Sequence, residues 1–141
     1  MATHASRNTT TGAIFEEKVH MEQKGINITK HDLYRFLSKQ GINWQDIISK
    51  KLLPDEAYYD EQNNRVIIYE KKFQQTAGSA DEKPQTCAFK IMQYRKLFAT
   101  LGITDVSYIY IFNDWFKRPE YKDMLEYISS VDGCGYIIIE E

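Results

Sequence analysis

Between residues 56 and 112 the hydrophobic pattern changes period twice, and that change restricts the chain to a small set of folds. Glu56 to Asp60 and Arg65 to Phe73 read as strands, joined by the turn formers Glu61-Gln62-Asn63-Asn64. Further on, Cys87, Ile91, Tyr94, Phe98 and Leu101 recur at steps of four and three, the stripe of one helix face, and Gly102 stands where that helix should stop. Val106 to Phe112 then returns to a short strand rich in Tyr and Ile. A hairpin, a helix and a further strand in that order predict a mixed sheet with helices packed against it.

The flanks extend the same architecture. Gly12 begins a helical segment with Ile14, Phe15, Val19 and Met21 toward one side and Gly25 at its end. A second helix is expected with Thr29 as N-cap, Leu33, Phe36 and Leu37 as its apolar stripe and Gly41 as its stop. A third, short one runs from Trp44 to about Lys51, ahead of Pro54. Pro119 suits the first position of a last helix that buries Tyr121, Met124, Leu125 and Ile128, and Gly133-Cys134-Gly135 turns into a final strand, Tyr136 to Ile139. Residues 1–11 are small and polar, a loose tail, and residues 12–141 are expected to form one domain. The fold class is therefore α/β, a mixed β-sheet flanked by helices with right-handed crossovers.

Composition excludes several classes of function. The chain carries 18 basic and 20 acidic side chains, a net charge of −2, which argues against a non-specific nucleic-acid binder working alone. No apolar run approaches the length of a membrane span, and the Met1-Ala2-Thr3-His4 start lacks the apolar core of a secretion signal, so a cytoplasmic protein is expected. Cys87 and Cys134 lack paired zinc spacing, and His4, His20 and His31 cluster neither with them nor with each other. No nucleophile elbow, P-loop or dinucleotide fingerprint occurs.

The informative chemistry lies in Pro54-Asp55 and in Glu70-Lys71-Lys72-Phe73-Gln74. On a strand, Glu70, Lys72 and Gln74 share one face, with Lys71 and Phe73 on the other. If the four-residue turn sets Asp60 opposite Arg65, five steps back along both strands set Asp55 opposite Glu70. Directly opposed positions have Cβ atoms roughly 5 Å apart, so two carboxylates would occupy one small volume. A hard divalent cation such as magnesium neutralises such a pair, and Lys72 places a point cation beside it to orient a bound water or stabilise a phosphodiester under attack. The competing reading makes Glu70-Lys71-Lys72 a solvated strand end and Asp55 a turn residue.

At these residues the chain resembles the PD-(D/E)xK nuclease superfamily, and within it the catalytic domains and subunits of type II restriction endonucleases. Pro54-Asp55 and Glu70-Lys71-Lys72 carry the likeness, and Phe73-Gln74 with the stretch from Gly78 to Cys87 resembles a segment of restriction-type members. The resemblance implies a restriction-endonuclease-like sheet, with Asp55, Glu70 and the backbone carbonyl of Lys71 as ligands of Mg2+, for which Mn2+ can substitute. It implies Lys72 as the catalytic lysine, Gln74 as a further residue of the catalytic face, and hydrolysis of double-stranded DNA. Glu16, on the first helix, is the candidate for an additional acidic ligand, against the alternative that it merely complements the helix dipole.

Two departures from the family pattern follow. Only two strands are visible before the central helix, where the family core has three, and no length remains for a target-recognition region. Specificity would then come from a separate recognition subunit or from DNA structure read by a homodimer. Three readings stay open: the catalytic subunit of a restriction or nicking system, a junction resolvase or repair nuclease, and a non-catalytic binding module on the same fold. Lys83 and Lys90 are candidate phosphate contacts or an ordinary solvated face, Gln74 a substrate contact or a sheet-edge hydrogen bond, and Trp115-Phe116-Lys117-Arg118 a partner contact or packing.

Overall fold

The structure, a computed structural model, describes residues 11–75 and 83–140. Residues 1–10 of the expected tail, residues 78–82 of the Gly78 to Cys87 segment and the Lys83 side chain lie outside the described residues, while Thr11 already begins the first helix. The elements are α1 (Thr11–Lys24), β1 (Ile26–Asn27), α2 (Asp32–Lys39), β2 (Glu56–Asp60), β3 (Arg65–Lys72), α3 (Cys87–Ala99), β4 (Asp105–Asn113), α4 (Lys122–Ser130) and β5 (Cys134–Ile139). They build a five-stranded mixed sheet in chain order, with β1, β2 and β3 antiparallel and β3, β4 and β5 parallel.

Helices cover both faces of this sheet. Ile14 and Met21 of α1 pack on Tyr58, Ile67, Tyr69, Ile109, Ile111 and Ile137. Leu33 and Leu37 of α2, Ile91, Tyr94, Leu97 and Phe98 of α3, and Met124 and Ile128 of α4 pack on Val66, Ile68, Val106, Tyr108 and Tyr110. Double coverage explains the unbroken burial of Val66-Ile67-Ile68-Tyr69, since a strand covered on both sides needs apolar residues at every position. Burying each such side chain contributes roughly 1.5–3 kcal/mol.

The antiparallel part has the third strand that the sequence concealed. β1 is only two residues, paired as Ile26↔Tyr59 and Asn27↔Tyr58. Its pairing continues past the strand: Ile28 N–H donates to the Ala57 carbonyl at 2.8 Å, and the Thr29 hydroxyl accepts from Ala57 N–H at 3.1 Å. Thr29 is therefore committed to β2, and α2 begins later, with His31 at its N-cap position.

Three smaller expectations also change. Phe15 and Val19 are exposed, while the inner side of α1 between Ile14 and Met21 is completed by charged residues. Glu17 meets Arg65 at 2.7 Å, and Lys18 meets Glu56 at 3.2 Å with its ammonium 5.4 Å from the Tyr69 ring centre. Only Trp44–Asp46 is helical in the short third segment, as a single 3-10 turn. Cys134 and Gly135 already belong to β5, so the turn is made at Gly133, whose φ of +90° suits glycine. Both cysteines are free and buried.

Candidate functional site

The site is built where β2 and β3 end together. Their register runs from Asp60↔Arg65 to Glu56↔Tyr69, and one step beyond it Asp55 lies beside Glu70, as the hairpin spacing predicts. Two hydrogen bonds lock the pair. Asp55 N–H donates to Glu70 Oε2 at 2.8 Å, and Lys71 N–H donates to Asp55 Oδ2 at 2.9 Å. Because N–H and C=O of one strand residue point to the same edge, the Lys71 carbonyl projects toward the Asp55 side as well, past the last β2 pairing.

Burial first, and then the charge of Asp55, push the Glu70 carboxyl above its ordinary range, against the Asp55 N–H bond, Lys72 and Lys30 that pull it down. Lys72 shares the Glu70 face, is half-buried and has no ion-pair or hydrogen-bond partner among the described residues. Glu70 thus sits between a carboxylate neighbour and two lysines, a mixture of charge that favours binding of a cation on one side and an anion on the other.

Lys30 is a residue that sequence reasoning missed. Its ammonium lies 3.4 Å from Asp55 Oδ1, its N–H donates to the Pro54 carbonyl at 3.0 Å, and its backbone is left-handed at φ +50°. A non-glycine residue in that region is held there by its surroundings, and here two contacts fasten it to the Pro54-Asp55 corner. No local pattern signals it, because the partner is 25 residues away.

The segment before Pro54 forms a strap over the same end of the sheet. The Tyr34 hydroxyl of α2 accepts from Leu52 N–H at 2.7 Å and donates to the Leu52 carbonyl at 2.5 Å, while the Lys51 ammonium lies 4.8 Å from the Tyr34 ring centre. Between strap and α3 is a cavity of about 230 Å³, lined by Lys50, Lys51, Leu52, Leu53, Glu70, Phe89, Lys90, Gln93, Tyr94 and Tyr108. Burial, and then among their causes the nearby charge of Glu70, keeps Tyr94 and Tyr108 protonated.

The other expected site residues divide. Lys90 joins the site through this cavity. Gln74 follows the end of β3, and its backbone is clamped by Asn113, which accepts from Gln74 N–H at 3.1 Å and donates to the Gln74 carbonyl at 2.7 Å. That clamp fixes the Gln74 main chain at the sheet edge, and Gln74 is buried. Glu16 is not brought to Asp55 and Glu70: it is exposed on α1, and α1 covers the opposite sheet face, where Tyr69 points. Trp115-Phe116-Lys117-Arg118 resolves toward packing, with Phe116 fully buried, Trp115 Nε1 donating to the Tyr121 hydroxyl at 2.7 Å and the Arg118 guanidinium 4.2 Å from the Trp115 ring centre.

Among the described residues no three Asp, Glu, His or Cys side chains converge as a metal group. The donors at this end of the sheet are two carboxylates and a main-chain carbonyl, all oxygen, which suits a hard cation completed by water and phosphate rather than zinc or copper. No protein-family model, curated protein or solved structure matches the chain. Among the described residues no helix is long and apolar enough to cross a membrane.

Proposed function

We infer that the chain is a divalent-cation-dependent DNA endonuclease of PD-(D/E)xK type with a restriction-endonuclease-like fold, the catalytic subunit of a restriction or nicking system. The observation that carries the reading is the interlocked Asp55 and Glu70 pair with Lys72 on the same face. Asp55, Glu70 and the Lys71 carbonyl would hold Mg2+ or Mn2+. When bound, the cation supplies a water of lowered pKa and a positive charge on the phosphoryl oxygens.

The chain's own residues do the rest. Lys72 holds its ammonium where a phosphate approaching the carboxylates would develop charge, and Lys30 fixes the Asp55 carboxylate. The reaction consumes one water: its oxygen bonds to phosphorus, one P–O ester bond breaks, and a proton goes to the departing alkoxide, leaving a phosphomonoester and a hydroxyl. The near-neutral balance of charge over the whole chain suits a subunit that gains DNA affinity from a recognition partner or a second copy.

The test is nicking or linearisation of supercoiled plasmid at low salt, with Mg2+ or Mn2+ against EDTA. Cleavage that requires the metal and disappears in Lys72→Ala, with the melting curve unchanged, supports the reading. Equal cleavage by Lys72→Ala sinks it.

A further inference from the structure

The free edge of the sheet carries an inference that goes beyond the nuclease reading and does not depend on it. β5 is the last strand of the sheet and pairs only with β4. In a parallel ladder the N–H and C=O of one residue point to the same side, and the sides alternate along the strand. The Gly133 carbonyl accepts from Tyr108 N–H at 2.7 Å, so Gly133, Gly135, Ile137 and Ile139 turn their main chain toward β4. Tyr136 and Ile138 therefore turn theirs outward, as does Cys134, whose N–H already donates to the Val131 carbonyl at 3.0 Å. Among the described residues the main-chain groups of Tyr136 and Ile138 and the Cys134 carbonyl have no hydrogen-bond partner on that side.

Proteins shield such an edge with lysine, proline, a bulge or a very short strand. β5 has none of these: it is Cys134-Gly135-Tyr136-Ile137-Ile138-Ile139, six residues without a charge or a proline, in unbroken register with β4. The opposite edge of the sheet, β1, is only two residues long, so it offers β5 no matching ladder and a head-to-tail stack of copies has nothing to build on. Beside the free edge, between α4 and Tyr136, lies a groove of about 710 Å³ whose lining includes Pro119, Lys122, Leu125 and Glu126. A ladder alone buries less than the roughly 1,200–2,000 Å² of a stable interface, and the groove extends the surface next to it with apolar side chains and both signs of charge.

We propose that the partner of this edge is a second copy of the chain: two β5 strands pair antiparallel about a two-fold axis at Ile137 and join the two sheets into one. Tyr136 of each copy exchanges N–H···O=C bonds with Ile138 of the other, and the Cys134 carbonyl accepts from Glu140 N–H of the other. In this register the two Glu140 carboxylates stand at opposite ends of the ladder. Each arrives next to the corner where the Arg95 guanidinium of the other copy donates to the Asp132 carbonyl at 3.0 Å. A register centred on Ile138 would bring the two Glu140 side chains closer together and away from Arg95. An antiparallel pair also points the Asp55–Glu70 ends of the two copies in opposite directions. On the nuclease reading each copy then cuts one strand of its own duplex, the nicking form of that activity.

The test is sedimentation velocity with amide hydrogen exchange, on the whole chain in EDTA and without DNA. The mass should rise from one chain to two between about 1 and 200 μM. Over the same range exchange at Tyr136 and Ile138 should slow by about tenfold, while Ile137 and Ile139, bonded to β4, stay protected throughout. Ile138→Pro removes an outward N–H and keeps the bonds to β4, so it should melt cooperatively and stay a single chain. Where that variant fails to fold, exchange at Tyr136 and Ile138 of the wild type decides. A wild type that remains one chain at the highest concentration, a dimer whose Tyr136 and Ile138 amides exchange freely, or a folded Ile138→Pro that still pairs overturns the proposal. Because neither metal nor DNA enters this measurement, a monomer leaves the nuclease reading standing, and a dimer that cuts no plasmid fails the nuclease reading alone.

Discussion

Glu70 can be probed by two substitutions that separate its charge from its hydrogen bond. Glu70→Gln keeps an acceptor for Asp55 N–H and removes the charge; Glu70→Ala removes both. The folded-state pKa of Glu70 is raised, by burial first. Its stability contribution is thus full below the unfolded pKa and lost as pH rises through the folded one. At pH 7 without metal, Glu70→Gln should match or exceed the wild-type melting temperature. Glu70→Ala leaves a part-buried N–H unpaired, a cost of about 1–3 kcal/mol. With an unfolding entropy of about 2.1 cal/mol/K per residue, 141 residues give roughly 0.3 kcal/mol/K, so each kcal/mol lowers the midpoint by about 3 °C and Glu70→Ala falls by roughly 3–10 °C. Adding Mg2+ at ten times its dissociation constant should raise the wild-type midpoint by about 5 °C, from RT ln 11 or about 1.4 kcal/mol, and move neither variant. Thermal melts by circular dichroism in EDTA and in MgCl2 read all three quantities. A Mg2+ shift retained in Glu70→Gln, or a Glu70→Gln protein less stable than wild type in EDTA, would refute the reasoning.

Gly133→Ala should cost about 2–5 kcal/mol, read as the urea midpoint, because its φ of +90° disfavours a side chain and an added Cβ would lie 3.1 Å from the Val106 carbonyl oxygen and far inside contact distance of Ile91 Cδ1. Tyr34→Phe removes both hydrogen bonds to Leu52, so amide exchange at Leu52 should accelerate while the sheet amides stay protected. Glu56 titrates in the opposite sense to Glu70: burial would raise it, but the Tyr58 hydroxyl at 2.8 Å and Lys18 and Lys71 hold it below the usual range. Its contribution is present above the unfolded pKa and lost as pH falls through the folded one, so Glu56→Gln should flatten the loss of stability on acidification; an unchanged pH profile of urea unfolding would count against that ion cluster.

The sequence was most legible where periodicity and turn length suffice. The β2–β3 register follows from one four-residue turn and strict alternation of faces, and it brings Asp55 to Glu70 without any knowledge of the rest of the chain. The α3 stripe is read equally well as far as Phe98, with Cys87, Ile91, Tyr94 and Phe98 all buried, whereas Leu101 falls past the helix end at Ala99 and is half-buried. Where one residue answers to a distant partner, local pattern misleads. Thr29 has the chemistry of a helix cap, yet Ala57 N–H claims its hydroxyl. Ile26-Asn27 is too short to show a period and becomes a strand because β2 offers an edge.

By itself, then, the amino-acid order determined the alternation of strands and helices, the hairpin register and the juxtaposition of Asp55, Glu70 and Lys72, because each depends on spacing within one or two neighbouring elements. Only the tertiary structure decided that Lys30 turns its ammonium to Asp55, that Glu17 and Lys18 rather than Phe15 and Val19 face inward, that Glu16 lies on the wrong side of the sheet, and that Lys50, Lys90 and Gln93 share a cavity with Glu70. Those placements join segments twenty or more residues apart, and electrostatics and packing between such segments act only after the chain has closed the loops that separate them.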